Sequence, residues 1–259
     1  MDASAIIQIT AFTHQGRVRE DNEDTVAVGQ WVRNAPMSTP HQWRYAFEAP
    51  VVCIVADGLG GQAAGEVASQ YVATRLSYEA VQITDTTQLG PLLQSINSEL
   101  CALMTRDLSL VGMGTTVVGL ILNDDHLIWF NIGDSRLYRH CDGALSQISI
   151  DDVADAPWSK ESSYQRRSHI ITQCLGGDTV AQRLYPHVGT EVLAVPSRWL
   201  LCSDGVTDMI DIDTMAACMD AADLDTVSML IELAMQAGGE DNISIILVSV
   251  CSDVGAESS

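Results

Sequence analysis

The residues whose types and spacing could do chemistry are carboxylates that stand where short apolar segments begin or end. They are Glu23, Asp24, Asp57, Asp134, Asp204 and Asp241. A carboxylate at the mouth of a buried strand is costly unless something compensates its charge. If neighbouring strands bring several such ends together, the carboxylates repel one another and raise one another's pKa. Mg²⁺ or Mn²⁺ would resolve this repulsion, because hard divalent cations prefer oxygen ligands.

The stretch 51–61 is the centre of this pattern, and its residues allow three interpretations. Gly58 to Ala63 fits the G-x-G-x-x-A pattern of a dinucleotide site, although Asp57 would face the pyrophosphate with a negative charge. An Asp-Gly turn without chemistry is the second interpretation. A cation site at Asp57 is the third.

Composition narrows the function classes. The chain has 259 residues, with 34 acidic against 13 basic side chains and a formal net charge of -21. Nucleic acids and anionic membranes need basic patches, so neither is expected as a partner. The seven cysteines form no C-x-x-C pair, which argues against zinc and suits a reducing compartment. The amino terminus lacks the basic start of a signal peptide, so we expect a cytoplasmic protein.

The elements that must position the carboxylates follow from apolar periodicity. Alternating or continuous apolar runs predict strands over 6–12, 25–28, 51–56, 115–122, 126–132, 136–140, 198–202 and 243–251. Helical spacing predicts helices over 65–76 and 89–107, which could cover one face of a sheet, and another around 227–234. Short connections at 123–125 and 133–135 predict that 115–140 forms a β-meander in a largely antiparallel sheet.

Two stretches are irregular in sequence. Residues 29–49 are predicted to be a hairpin loop or surface insertion. Residues 141–190 are predicted to hold turns, a short helix and a mobile flap, with an ordinary long connection as the alternative. No linker or repeat is evident, so we expect one domain over 1–252 and a polar, disordered tail over 253–259.

Six motifs follow one another in order along the chain. They are Arg19-x-x-Asn22-Glu23-Asp24, Asp57-Gly58-Leu59-Gly60-Gly61 with Gly65-Glu66-x-Ala68-Ser69, Gly114-Thr115-Thr116, Gly133-Asp134-Ser135-Arg136, Ser203-Asp204-Gly205 and Asp241-Asn242-Ile243-Ser244. From about residue 10 to 250, this series resembles the PPM family of metal-dependent, PP2C-type Ser/Thr protein phosphatases. The resemblance implies an α+β fold: a four-layer α-β-β-α sandwich of two stacked antiparallel sheets flanked by helices.

The resemblance also implies a binuclear Mn²⁺ or Mg²⁺ site. Asp57 would bridge the two ions, Asp204 and Asp241 would complete one ion's ligands, and Glu23 with the Gly58 carbonyl would serve the other.

Further roles are implied in the same way. Asp24 would lie close by as a ligand or as a support, and Asp134 would belong to a third, weaker ion site. Arg19 would bind the substrate phosphate, for which a guanidinium fork is suited. Thr115 and Arg136 could simply support the sheet.

The implied activity is hydrolysis of phosphoserine and phosphothreonine by direct attack of a metal-bridging hydroxide, with Arg19 and Asp57 as catalytic residues. The chain lacks the D-x-D-x-T and C-x₅-R patterns of phosphatases that form a covalent intermediate. Leu59 stands where many eukaryotic members carry a histidine, and Ser244 stands where threonine is usual.

The expected partners are phosphorylated Ser/Thr proteins, a cognate bacterial Ser/Thr kinase and its substrate, and the expected state is a monomer. Two alternatives remain open: a phosphatase restricted to one regulatory partner, and a non-catalytic relative that binds phosphoproteins.

Overall fold

A computed structural model describes residues 5–46, 50–60, 64–124, 126–154 and 170–252. The strands in these ranges are β1 (Ala5–His14), β2 (Thr25–Val28), β3 (Trp31–Arg33), β4 (His41–Ala46), β5 (Val51–Ala56), β6 (Gly58–Leu59), β7 (Gly114–Thr115), β8 (Val117–Leu122), β9 (His126–Ile132), β10 (Arg136–Cys141), β11 (Ala144–Gln147), β12 (Leu175–Gly176), β13 (His187–Val192), β14 (Ser197–Cys202) and β15 (Ile243–Ser252). The α-helices are α1 (Ala64–Glu79), α2 (Leu89–Arg106), α3 (Asp204–Thr207), α4 (Ile212–Cys218) and α5 (Asp223–Ala237).

Two six-stranded antiparallel sheets form the centre of the fold. The first sheet has the order β13-β9-β8-β5-β2-β3, and the second has the order β11-β10-β14-β15-β1-β4. A small third sheet, β12-β7-β6, continues from the end of β5. Within the described ranges, no helix is long and apolar enough to cross a membrane.

The layered arrangement of sheets and helices follows from strands that are buried on both faces. In β5, Val52 and Ile54 pack against α1 and α2, whereas Cys53 and Val55 pack against the second sheet. The outer face of the second sheet packs against α5, through residues such as Leu230. Because each sheet has two apolar faces, both faces must be covered. The four-layer α-β-β-α sandwich is therefore confirmed.

The prediction for residues 29–49 is wrong in part. This stretch supplies two edge strands: β3 extends the first sheet beside β2, and β4 extends the second sheet beside β1. The rings of Trp31 and Trp43 meet 4.8 Å apart and link the two edges. Edge strands pair with a neighbour on one side only, and these two are only partly buried, so their sequence shows little of the apolar run of a core strand.

The predicted meander is also wrong. β9 does pair with β8, but β10 pairs with β14 in the second sheet, and β13 occupies the other side of β9. At the connection, Gly133 has a φ of +94°, and the chain crosses there from one sheet to the other. A short connection suits either a hairpin or such a crossing, so its length alone does not distinguish them.

The region 141–190 is more ordered than predicted, because β11, β12 and the start of β13 lie within it. The predicted flap region covers 141–190, of which 155–169 lies outside the described residues, and the predicted tail over 253–259 also lies outside them.

Candidate metal centre

The candidate site lies at one end of the sandwich, where strands of both sheets stop. β2 and β5 are antiparallel neighbours, so Asp24, just before β2, lies beside Asp57, just after β5. β14 and β15 are neighbours in the second sheet, which brings Asp204, after β14, near Asp241, before β15. Asp134 lies in the connection between β9 and β10.

These carboxylates act on one another electrostatically. Burial first, and then the charges of Asp24 and Asp204, raise the pKa of Asp57 well above its usual value. Burial, with the charges of Asp134 and Asp241, raises the pKa of Asp204 to about 7. The structure thus brings together the aspartates that the sequence predicted to converge. Their mutual repulsion is the feature that a bound cation would relieve.

Two of these carboxylates have a buried oxygen without a hydrogen-bond partner among the described residues. The Asp24 side chain is fully buried, and its Oδ2 accepts a bond from Ser203 Oγ at 2.8 Å, whereas Oδ1 has no partner. Asp134 is 7% exposed, and its Oδ1 also lacks a partner. Burial raises the pKa of Asp24 to about 7 and that of Asp134 to about 6.

Buried polar atoms without partners are rare, and a cation could supply the missing interaction. The donors are oxygens, which suits Mg²⁺ or Mn²⁺ better than zinc or copper. In the part of the chain that the structure describes, no three His, Cys, Asp or Glu side chains form a ready-made ligand set. We call the group of Glu23, Asp24, Asp57, Asp134, Asp204 and Asp241 the acidic basin. Within it, Asp24 accepts a bond from Ser203, and Asp241 pairs with Arg19.

Glu23 and Gly58 lie against each other at the start of α1. A Cβ on Gly58 would lie 2.5 Å from the Glu23 carbonyl oxygen and 2.5 Å from the Gly65 backbone, so this position accepts only glycine. A Cβ on Gly65 would lie 3.0 Å from Glu23 Oε1. Burial raises the pKa of Glu23, against the lowering effect of Arg19 and of the Gly65 N–H. The glycines that the sequence pattern singled out therefore allow the Glu23 carboxylate to lie close to the backbone.

Arg19 extends from the β1–β2 loop over the basin. Its Nη2 lies 2.6 Å from Asp241 Oδ2, and its side chain is 52% exposed. A guanidinium has five N–H donors, so a single bond to Asp241 leaves others for an anion.

The sequence and the fold were compared with known proteins. The family model described as "Protein phosphatase 2C" matches residues 40–224. The chain is 31% identical to the serine/threonine protein phosphatase PstP of Mycobacterium tuberculosis over 95% of its own length. It is 30% identical to the serine/threonine phosphatase stp of Listeria monocytogenes, over 91% of this chain and 93% of that protein.

The chain belongs to the protein phosphatase 2C family. The match to PstP covers 45% of that longer protein, so the chain spans less than half the length of this relative. Among solved structures, the PstP catalytic domain in complex with two manganese ions superposes with a TM-score of 0.77 at 28% identity. That superposition covers 96% of this chain and 100% of the other.

Asn242 is a residue of this family member to which the sequence analysis assigned no role. It is 5% exposed, and its Oδ1 accepts a bond from the Glu23 backbone N–H at 2.8 Å. Its Nδ2 donates to the carbonyl oxygens of Gln15 and Asp21 at 3.0 and 2.9 Å. One buried amide thus fixes both ends of the loop that carries Arg19. The only sequence signal was an asparagine next to a candidate ligand.

Two further motif residues of this phosphatase 2C chain support the sheet, as one interpretation of the sequence held. Thr115 Oγ1 donates to the Asp57 carbonyl oxygen at 2.8 Å. Arg136 is 5% exposed, and its Nε lies 3.0 Å from both carboxylate oxygens of Asp151. Thr115 thus holds the backbone at Asp57, and Arg136 holds the Asp151 side chain.

Proposed function

We propose that this chain is a metal-dependent protein phosphatase that hydrolyses phosphoserine and phosphothreonine in bacterial proteins. Its family membership and the names of its relatives support this function. The observation that carries the proposal is the group of carboxylates at the meeting ends of the two sheets, where burial first, and then the charges of neighbouring aspartates, raise the pKa values of Asp57 and Asp204. A family member without metals would have no need of such an arrangement.

We assign two divalent cations, Mn²⁺ or Mg²⁺, to the basin. Asp57 would lie between them, with Asp204 and Asp241 on one ion and Glu23 and the Gly58 carbonyl on the other. The relative whose structure contains two manganese ions supports this number. The location of these residues also supports the assignment, because each of them lies at the end of a strand or next to that end.

Asp134 and Asp24 have separate proposed roles. Asp134, with an unpartnered buried oxygen, would take a third and weaker cation. Asp24 is completely buried and has one oxygen bound to Ser203, so we assign it a place behind Asp57, where its charge helps to retain cations.

In the reaction, the chain's own residues bind and orient the phosphate. When bound, the cations supply Lewis-acid neutralisation of phosphoryl charge and acidify water. Arg19, anchored by Asp241, donates N–H groups to the phosphoryl oxygens, whose charge grows in the transition state. Asp241 keeps the guanidinium at the rim of the basin, which limits where the phosphate can lie. Leu59 has no proton to give, so residue 59 does not act as a general acid.

Free cysteines support a reducing location. Each of the seven, such as the buried Cys53 and Cys202, is free, which is usual for the cytoplasm. A cognate Ser/Thr kinase and a monomeric state stay predictions.

The deciding experiment measures hydrolysis of p-nitrophenyl phosphate and of a phosphothreonine peptide with Mn²⁺, with Mg²⁺ and with EDTA. Wild-type protein is compared with Asp57→Asn, and circular dichroism verifies that both are folded. Turnover that needs metal and disappears in Asp57→Asn supports the proposal. Folded wild-type protein without turnover on either substrate would contradict a general phosphatase and favour a phosphoprotein-binding relative or an enzyme restricted to one partner.

A further inference from the structure

Asp152 is the centre of a hydrogen-bond network to which the proposed reaction assigns no role. Its Oδ1 lies 2.9 Å from His187 Nε2. Its Oδ2 accepts bonds from the backbone N–H of Gly133 and from Gln173 Nε2, each at 2.9 Å. The side chain is 13% exposed. A carboxylate this buried needs donors, and these three lie on three separate parts of the chain.

The backbone around Asp152 strengthens the same connection. The Asp152 N–H donates to the Gly133 carbonyl oxygen at 3.0 Å, and the Thr172 N–H donates to the Asp152 carbonyl oxygen at 2.7 Å. Next to these bonds, Val153 forms an antiparallel bridge with Ile171. Asp152 therefore joins this pair of segments to the connection between β9 and β10.

That connection carries Asp134, and its other bonds include Ser135 Oγ to Thr116 Oγ1 at 2.7 Å and Asn131 Nδ2 to the Gly133 carbonyl oxygen at 3.4 Å. Gly133 has a φ of +94°, and a Cβ there would lie 2.6 Å from Thr116 Cγ2, so no side chain can anchor the residue. The Gly133 N–H and carbonyl both bond to Asp152. The position of the next residue, Asp134, thus depends in part on the Asp152 carboxylate, which is 19 residues from Gly133.

We infer that Asp152 is a positioning residue, which through its bonds to Gly133, His187 and Gln173 places the Asp134 carboxylate to take a divalent cation. The inference rests on the proposed function in assigning a cation to Asp134. Groups that orient a metal ligand from behind typically change metal affinity by about 10- to 100-fold when removed. Asp152 is such a group, because it bonds to Gly133, the residue that precedes the proposed ligand Asp134.

The variant Asp152→Ala removes all three side-chain bonds. We expect it to weaken Mn²⁺ binding at one class of site by about 10- to 100-fold in calorimetric titration, while the other sites keep their affinity. In the metal-free protein, we expect amide hydrogen exchange at Gly133 to become faster, because its N–H loses its acceptor. The control Asp220→Ala removes a carboxylate whose side chain is 79% exposed and should change neither measurement.

The conservative variant Asp152→Asn distinguishes positioning from ligation. Its oxygen can still accept from Gly133 and Gln173 while its NH₂ group donates to His187, which accepts at Nε2 in its other tautomer. We therefore expect Asp152→Asn to keep most of the wild-type Mn²⁺ affinity. If Asp152 were itself a ligand, Asn would lose as much affinity as Ala, and the inference would be overturned.

The inference also fails if Asp152→Ala binds Mn²⁺ as wild type does, or if Gly133 exchange does not change. Should Asp152→Ala not fold, His187→Ala removes one anchor from an edge strand and is expected to give a smaller loss in the same titration. An unchanged titration for that variant would overturn the inference too. Absence of phosphatase activity in wild-type protein would contradict the proposed function alone, since neither measurement uses turnover.

Discussion

The side-chain amide of Asn242 accepts the backbone N–H of Glu23 at 2.8 Å, across 219 positions of sequence. This bond joins the start of β15 to the loop before β2, and each of these segments carries a proposed metal ligand. The two ligands, Glu23 and Asp241, come from different sheets, so their separation depends on contacts of this kind. The proposed metal centre is therefore assembled by a buried polar side chain as well as by the strands.

Asn242→Ala is expected to reduce kcat/KM and to weaken Mn²⁺ binding while leaving the protein folded. The change leaves the Glu23 N–H and the Gln15 and Asp21 carbonyls without their partner, at a cost of about 1–3 kcal/mol for an unsatisfied buried group. Urea unfolding and steady-state kinetics measure the two effects. The control Asn123→Ala removes a buried asparagine from the β8–β9 turn, so its kinetics should stay at the wild-type level. Wild-type kinetics for Asn242→Ala would contradict the role given to this residue.

Neutralising a proposed ligand should abolish metal binding without destabilising the metal-free protein. Asp204→Asn and Asp241→Asn each remove one charge from the repelling group, so we expect turnover to vanish while the metal-free melting temperature stays at the wild-type value or rises. In wild type, Mn²⁺ at 100 times its Kd stabilises the folded state by about 2.7 kcal/mol, and this gain should be largely lost in both variants.

The matched control for these variants is Asp211→Asn, at the amino-terminal end of α4. Its side chain accepts from the Thr214 N–H at 2.8 Å, and asparagine caps a helix about as well as aspartate. Its melting temperature should rise with Mn²⁺ as in wild type. Normal turnover in Asp204→Asn or Asp241→Asn would refute the ligand assignment.

Arg19→Ala should mainly raise KM for a phosphopeptide. A hydrogen bond to a charged group contributes about 1.5–3 kcal/mol, which corresponds to a change of about 10- to 100-fold. Arg17→Ala is the control: it lies in the same loop, is exposed and bonds to Gly239 through its backbone N–H. Initial rates over a range of peptide concentrations give KM for each variant. An unchanged KM in Arg19→Ala would exclude this residue from the phosphate site.

Some parts of this structure could be predicted because their signals are local. β5 and β9 have the predicted bounds, since runs apolar on both faces are recognisable in the sequence. The aspartates were recognised because they directly follow or precede such runs. The change of sheet between β9 and β10 and the edge strands β3 and β4 could not be predicted in this way. They are decided by which strand pairs with which, and pairing leaves no local pattern.

The supporting residues were missed for a related reason. Asn242 and Asp152 act through hydrogen bonds to residues that are distant in sequence, and such bonds leave no local pattern. Asn242 stands in the motif Asp241-Asn242-Ile243-Ser244, but the motif does not indicate that its amide holds the loop at Glu23. Thr115 could be interpreted as structural or functional from sequence, and its bond to the Asp57 carbonyl favours structure.

Two arginines of β10 test how burial changes the contribution of an ion pair to the free energy of unfolding. Arg136 pairs with Asp151 with side chains 6% and 19% exposed, whereas Arg139 pairs with Glu191 with side chains 43% and 27% exposed. Removing one partner of a buried pair leaves a charge uncompensated and costs about 3–5 kcal/mol. An exposed pair contributes about 0–1 kcal/mol because solvent screens it.

We therefore expect Arg136→Met to lower the free energy of unfolding by several times more than Arg139→Met, measured by urea denaturation of the metal-free protein. Arg136→Met should also reduce activity, since Arg136 directly follows the connection that carries Asp134 and pairs with Asp151. Double variants with Asp151→Asn and Glu191→Gln isolate the pair energies. Equal losses in the two single variants would mean that the Arg136–Asp151 pair is solvated and does not stabilise the position of Asp134.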